Sequence, residues 1–110
     1  MIIVIAKFPT INAGRDKDFI KWFEWSNYLL KKTPGLISRR LLQCKNGGYV
    51  AAVEFDSMDS FTTLHQSDTH KKIHERTATI FHGNPIPEIY QLIDTGNEII
   101  STCSDGSSNL

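Results

Sequence analysis

The hydrophobic and polar positions of this chain follow two rhythms, one of period two and one near 3.6, and the switches between them delimit its elements. Ile2 to Phe8 is β-branched and apolar with no charge before Lys7, which predicts a central strand apolar on both faces. Pro9 to Gly14 breaks it. Asp16 to Lys32 keeps helical spacing, with Phe19, Ile20, Phe23 and Leu30 on one face and Trp22, Trp25 and Leu29 on a flank, the tryptophans read as packing residues. Thr33-Pro34-Gly35 stops this helix. Leu36 to Gln43 alternates as a strand, Cys44 to Gly48 supplies a hairpin connection, and Tyr49 to Phe55 returns. Asp56 or Ser57 caps a short helix through Leu64, and Ser67 or Asp68 caps the next. There His70, Ile73, His74, Thr77, Ile80 and Phe81 share one narrow face, opposite Lys71, Lys72, Glu75, Arg76 and Thr79, so the spacing predicts a helix reaching Phe81. Gly83 to Pro87 is a rigid loop, and Glu88 to Ile93 is the last strand.

The order β-α-β-β-α-β predicts an α+β, ferredoxin-like fold: one antiparallel four-stranded sheet with two helical segments on one face. The domain is expected over residues 1–95. Residues 96–110 form a polar, flexible tail, in which Ile99-Ile100 offers a short pairing segment. Helices on one face leave the other uncovered, and strands one and three are apolar there too. An exposed apolar sheet face points to homodimerisation through the sheets. The alternative is that Arg39, Glu54 and Gln91 wet that face enough for a monomer.

Composition narrows the partners. The 110 residues hold 12 basic and 12 acidic side chains, with 40% hydrophobic and 22% charged residues. One globular domain fits that length. The charge balance gives no basic surplus for nucleic acid or for an anionic membrane surface. No apolar run approaches a membrane span, and the apolar opening is too short for a signal peptide. Cys44 and Cys103 are far apart in sequence and read as reduced thiols, so a cytoplasmic location is expected.

Two titratable rings, His70 and His74, lie on an apolar face that needs no imidazole to pack. That makes their helix the first place to look for a site. The bland alternative is one ring bonded to a backbone carbonyl in the core and the other in solvent. His65 and His82 fall at helix ends, where solvent or the helix dipole accounts for them. His70 and His74 have i, i+4 spacing for zinc, but Glu75 turns about 100° away from His74 and no third ligand is suitably spaced, so no metal is expected. A phosphate loop, a nucleophile elbow and a Cys-x-x-Cys pair are all missing.

Several segments, in order and spacing, resemble the antibiotic biosynthesis monooxygenase (ABM) domain of the dimeric α+β barrel superfamily. They are Gly14 leading into Asp18-Phe19, Thr33-Pro34-Gly35-Leu36-Ile37-Ser38, Val53-Glu54-Phe55-Asp56-Ser57, Phe61, Ser67-Asp68-Thr69-His70-Lys71-Lys72-Ile73-His74, and Pro87-Glu88-Ile89-Tyr90. The resemblance covers roughly Ile2 to Asp94. It implies a homodimer with facing sheets and a ligand pocket between sheet and helices. It also implies cofactor-independent oxygenation of a small aromatic or quinol substrate by O2. That chemistry needs a base for the phenolic proton, His74 or His70, and a donor near the developing negative charge, Tyr90 or Arg39.

A second branch of the family binds and degrades heme, with a histidine at the position of His74 as axial ligand. The Asn and Trp of that branch correspond here to Lys7 and Leu64, so ring oxidation is not expected. The alternative reading is therefore a non-catalytic module holding heme or another apolar ligand through His74.

Overall fold

A computed structural model describes residues 1–101. Four strands, β1 (Ile2–Lys7), β2 (Leu36–Gln43), β3 (Tyr49–Phe55) and β4 (Ile86–Gln91), form one antiparallel sheet of order β2-β3-β1-β4. Three helices, α1 (Asp16–Leu30), α2 (Met58–His65) and α3 (Asp68–His74), complete the α+β fold. The register settles which residues share a face: Ile2, Val4 and Ala6 lie opposite Phe55, Val53 and Ala51. Most of these side chains are buried under the helices with Phe19, Trp22, Phe23 and Phe61, whereas Ile3, Ile5, Val50 and Ala52 alternate to the uncovered face.

The buried stripe of α1 runs through Phe19, Trp22, Phe23, Ser26 and Leu30, while Ile20, expected inside, is 45% exposed. The stripe is rotated because Trp22 turns inward and its Nε1 donates to the Ile73 carbonyl at 2.9 Å, tying α1 to the end of α3. α2 and α3 begin where serine caps were expected. Ser57 Oγ accepts from the Ser60 amide and Ser67 Oγ from the His70 amide.

Two boundaries differ from expectation. α3 ends at His74 instead of running to Phe81. Thr77 Oγ1 donates to the His74 carbonyl, an acceptor the next helical turn would need, and β-branched Thr77 and Thr79 resist helix. Asn12 then captures the carbonyls of Thr79 and Ile80, and Ile11 bridges to Phe81. Thr77, Ile80 and Phe81 are still buried, so the apolar pattern located the interior but not the helix. β4 starts at Ile86, before the expected Glu88, and stops at Gln91. Pro87 is admitted because β4 is an edge strand, where a missing amide donor breaks no ladder. Residues 92–101 hold no strand, and Ile99 and Ile100 are exposed. The tail expected from residue 96 lies mostly outside the described residues, as does Cys103; Cys44 is free and exposed.

Candidate functional site

A cavity of about 420 Å3 opens between the helix-facing side of the sheet and the helices. Val4, Ala6, Ala51, Val53 and Phe55 form its floor, and Trp22, Leu30, Phe61, Leu64 and Ile73 much of its roof. Polar groups enter at few points: Arg39 from β2, His65, His70 and His74 from α2 and α3, and Asn84 beside Pro85 and Pro87. An apolar enclosure of this size with a few convergent polar groups is the usual form of a small-molecule site.

Arg39 is placed by its register. A shift in pairing between Leu36 and Ser38 puts Arg39 opposite Val53, on the helix-facing side. Its Nη1 donates to Ser26 Oγ at 2.7 Å and to Asn27 Oδ1 at 2.6 Å, and its guanidinium lies over the Phe23 ring, 4.1 Å from the centroid. Ser26 in turn donates to the Phe23 carbonyl, so its oxygen is oriented to accept. All three supports are neutral. Burial lowers the Arg39 pKa to about 10, which still leaves it charged at neutral pH.

The three imidazoles form a ladder along the cavity wall. Ring centroids are 4.3 Å apart for Phe61 and His65, 4.4 Å for His65 and His70, and 4.4 Å for His70 and His74; Trp22 meets His74 edge-on at 6.3 Å. The spacing comes from the cap between the helices: Ser67 starts α3 so that His70 and His74, one turn apart, continue the line begun by His65. Among the described residues none of these side chains has a hydrogen-bond partner, and no buried polar side-chain atom is left unsatisfied. Their nitrogens are therefore free for a ligand. Burial lowers all three pKa values. That of His70 falls to about 4, helped by the neighbouring His74, His65 and Arg39; that of His74 falls for the same main reason, with His65 and Arg39 contributing. The ladder is neutral at pH 7 and can accept a proton.

The structure thus brings together His70, His74 and Arg39. Tyr90 is not with them. It pairs with Ile3 on the uncovered sheet face, is 51% exposed, and its hydroxyl lies against Glu88. Alternation along β4 turns Pro87 to the cavity and Tyr90 away, so Tyr90 cannot be the donor within its own subunit. Of the three residues the monomer alternative required on the open face, Arg39 and Gln91 sit on the helix side, while Glu54 lies opposite Ile3 on the open face and accepts from Ser38. His65 is a cavity residue rather than a ring stabilised by a helix dipole, which would raise its pKa. Ser26 and Asn27 were missed. Their signal was a serine within the apolar stripe of α1, i+3 from Phe23.

Successive rings of the ladder are tilted by 54° and 43°, and among the described residues no group of three His, Cys, Asp or Glu side chains is arranged to hold an ion. For heme, His74 has unpartnered nitrogens, but the residues that would drive ring oxidation do not fit. Leu64 lines the cavity where a Trp would crowd the porphyrin, and Lys7 lies outside it.

Comparison with known proteins bears on the fold and the family. The family model for antibiotic biosynthesis monooxygenase matches residues 1–76. No curated protein matches the chain in sequence. Among solved structures, a provisionally assigned antibiotic biosynthesis monooxygenase from Bordetella bronchiseptica superposes with a TM-score of 0.74 at 19% identity, covering 84% of this chain and 96% of that one. A provisionally assigned member from Caulobacter crescentus gives 0.74 at 22% identity, over 84% and 89%. SnoaB, a cofactor-independent oxygenase from Streptomyces nogalater, gives 0.72 at 15% identity, over 88% and 97%. At these identities the structural likeness shows the shared fold. The family model matches well over half of the sequence, and the chain belongs to the antibiotic biosynthesis monooxygenase family.

Proposed function

We propose that this protein is a monooxygenase that oxidises a small aromatic or quinol substrate with O2, without a bound cofactor, in the cavity between sheet and helices. The observation that carries the reading is the neutral histidine ladder, without side-chain hydrogen-bond partners among the described residues, facing a cation across an apolar enclosure. Family membership and the fold shared with a cofactor-independent oxygenase support it.

His74 is the base. His70, with a pKa near 4, is too weakly basic to take a phenolic proton efficiently, and the shift at His74 lacks the push from a third imidazole that His70 feels. Arg39 stabilises the phenolate, which lowers the cost of that transfer. The electron-rich anion passes one electron to O2, the resulting superoxide and ring radical combine at a ring carbon that bears hydrogen, and the peroxide takes the proton back from His74 to become a hydroperoxide. Loss of water leaves a carbonyl: one oxygen atom stays on the substrate and the other leaves as water. The apolar walls admit O2 and exclude bulk water from the radical pair. Tyr90 has no part in this step, and we assign it to a homodimer formed through the uncovered sheet faces.

The test is oxygen uptake by the purified protein with a panel of quinols, anthrones and hydroxynaphthoates. Uptake above the buffer rate for at least one of them supports the enzyme. If all remain at the buffer rate while hemin gives a Soret shift abolished by His74→Ala, the site is a binding module instead.

A further inference from the structure

The charge inside the cavity is unbalanced. Arg39 is its one formal cation, and no aspartate or glutamate lines the wall. The only ion pair among the described residues, Arg15 with Asp18, is on the surface. Nη1 is committed to Ser26 and Asn27, which fixes the plane of the guanidinium, while Nε and Nη2 have no partner among the described residues. A charge carried into an apolar enclosure and supported only by neutral oxygens costs free energy in the empty site that an anion would recover. The planar fork matches a carboxylate in two-point geometry. A single cation beside neutral imidazoles suits a singly charged group better than a phosphate.

We infer that the natural substrate is an aromatic acid, held with its carboxylate on the Nε and Nη2 side of Arg39 and its ring along the wall formed by His70 and His74. This deepens the proposed function by naming the substrate class and assigns Arg39 to binding a permanent anion as well as the transient one. A cavity of about 420 Å3 has room for a fused two-ring acid with O2 beside it.

Isothermal titration calorimetry with 3-hydroxy-2-naphthoate and its methyl ester tests this without depending on turnover. At pH 7.5 the acid is expected to bind the wild-type protein at least tenfold more tightly than the ester. Arg39→Met should remove that preference, and Arg39→Lys should keep part of it. The wild-type ratio stands alone if Arg39→Met does not fold. Equal affinity of acid and ester for the wild type, or an undiminished preference in folded Arg39→Met, overturns the inference. Oxygen uptake distinguishes the two readings: a protein that prefers the acid yet never consumes O2 with it loses the proposed function and keeps the anion site.

Discussion

Arg39 helps to set the charge of the imidazoles beside it. The guanidinium stays protonated despite burial, and its field helps hold His70 and His74 neutral. Stability must therefore depend on pH. An imidazole in the unfolded chain protonates near 6.5, whereas His70 in the fold does so near 4. Between those values the unfolded chain binds the extra proton, so the stabilisation is complete above 6.5 and drains away as pH falls toward 4. The shifts at His65 and His74 have the same sign and add to it. The urea midpoint is expected to fall between pH 7 and pH 5, with a shallower fall in His70→Gln; an equal fall in both proteins contradicts the coupling. At this scale the sequence was informative where chemistry clashed with pattern. Two imidazoles on an apolar face announced the site, whereas the supports of Arg39 were hidden because Ser26 looked like a gap in a stripe. Tyr90 failed for a geometric reason: alternation separates Tyr90 from Ile89 and Gln91 but does not say which set faces the helices, and the register with β1 decides it.

Strands and caps were legible because turn chemistry fixes them locally. β2 and β3 run over the expected residues, with the Asn46-Gly47 turn between them. The end of α3 was not legible, since contacts with Asn12 and Ile11, distant in sequence, decide it. The joint between α1 and β2 gives a sharper test of how the elements are held. Gly35 has φ +80°, its carbonyl accepts from the Asp56 amide, and a Cβ there would run into Ser60 and Asp56 at the start of α2. Both the backbone conformation and the space exclude a side chain. Gly35→Ala is expected to cost about 2 kcal/mol or more, from the left-handed conformation plus the clash. Chemical denaturation measures it, and a change within about 0.5 kcal/mol, the usual surface range, would mean the joint relaxes freely.

At the scale of the whole molecule, one face of the sheet builds the cavity and the other is left uncovered. Ile3, Ile5, Val50 and Ala52 lie there with Tyr90, an apolar patch interspersed with Arg40, Glu54 and Glu88 that a second copy can bury. Light scattering at micromolar concentration is expected to give about 25 kDa, twice the 12.5 kDa chain, and Ile5→Glu should shift the mass toward the monomer. A wild-type particle of 12.5 kDa contradicts the dimer. The α+β architecture and the family were legible because they rest on order and spacing; the chemistry was not, because it depends on which face each strand turns inward. That chemistry is tested most directly by single-turnover oxygen uptake in wild type and His74→Gln, using whichever panel substrate the wild type oxidises. The account predicts a rate at least 100-fold lower in the variant with substrate affinity nearly unchanged, about the contribution of a positioned base. An equal rate in both proteins would contradict it.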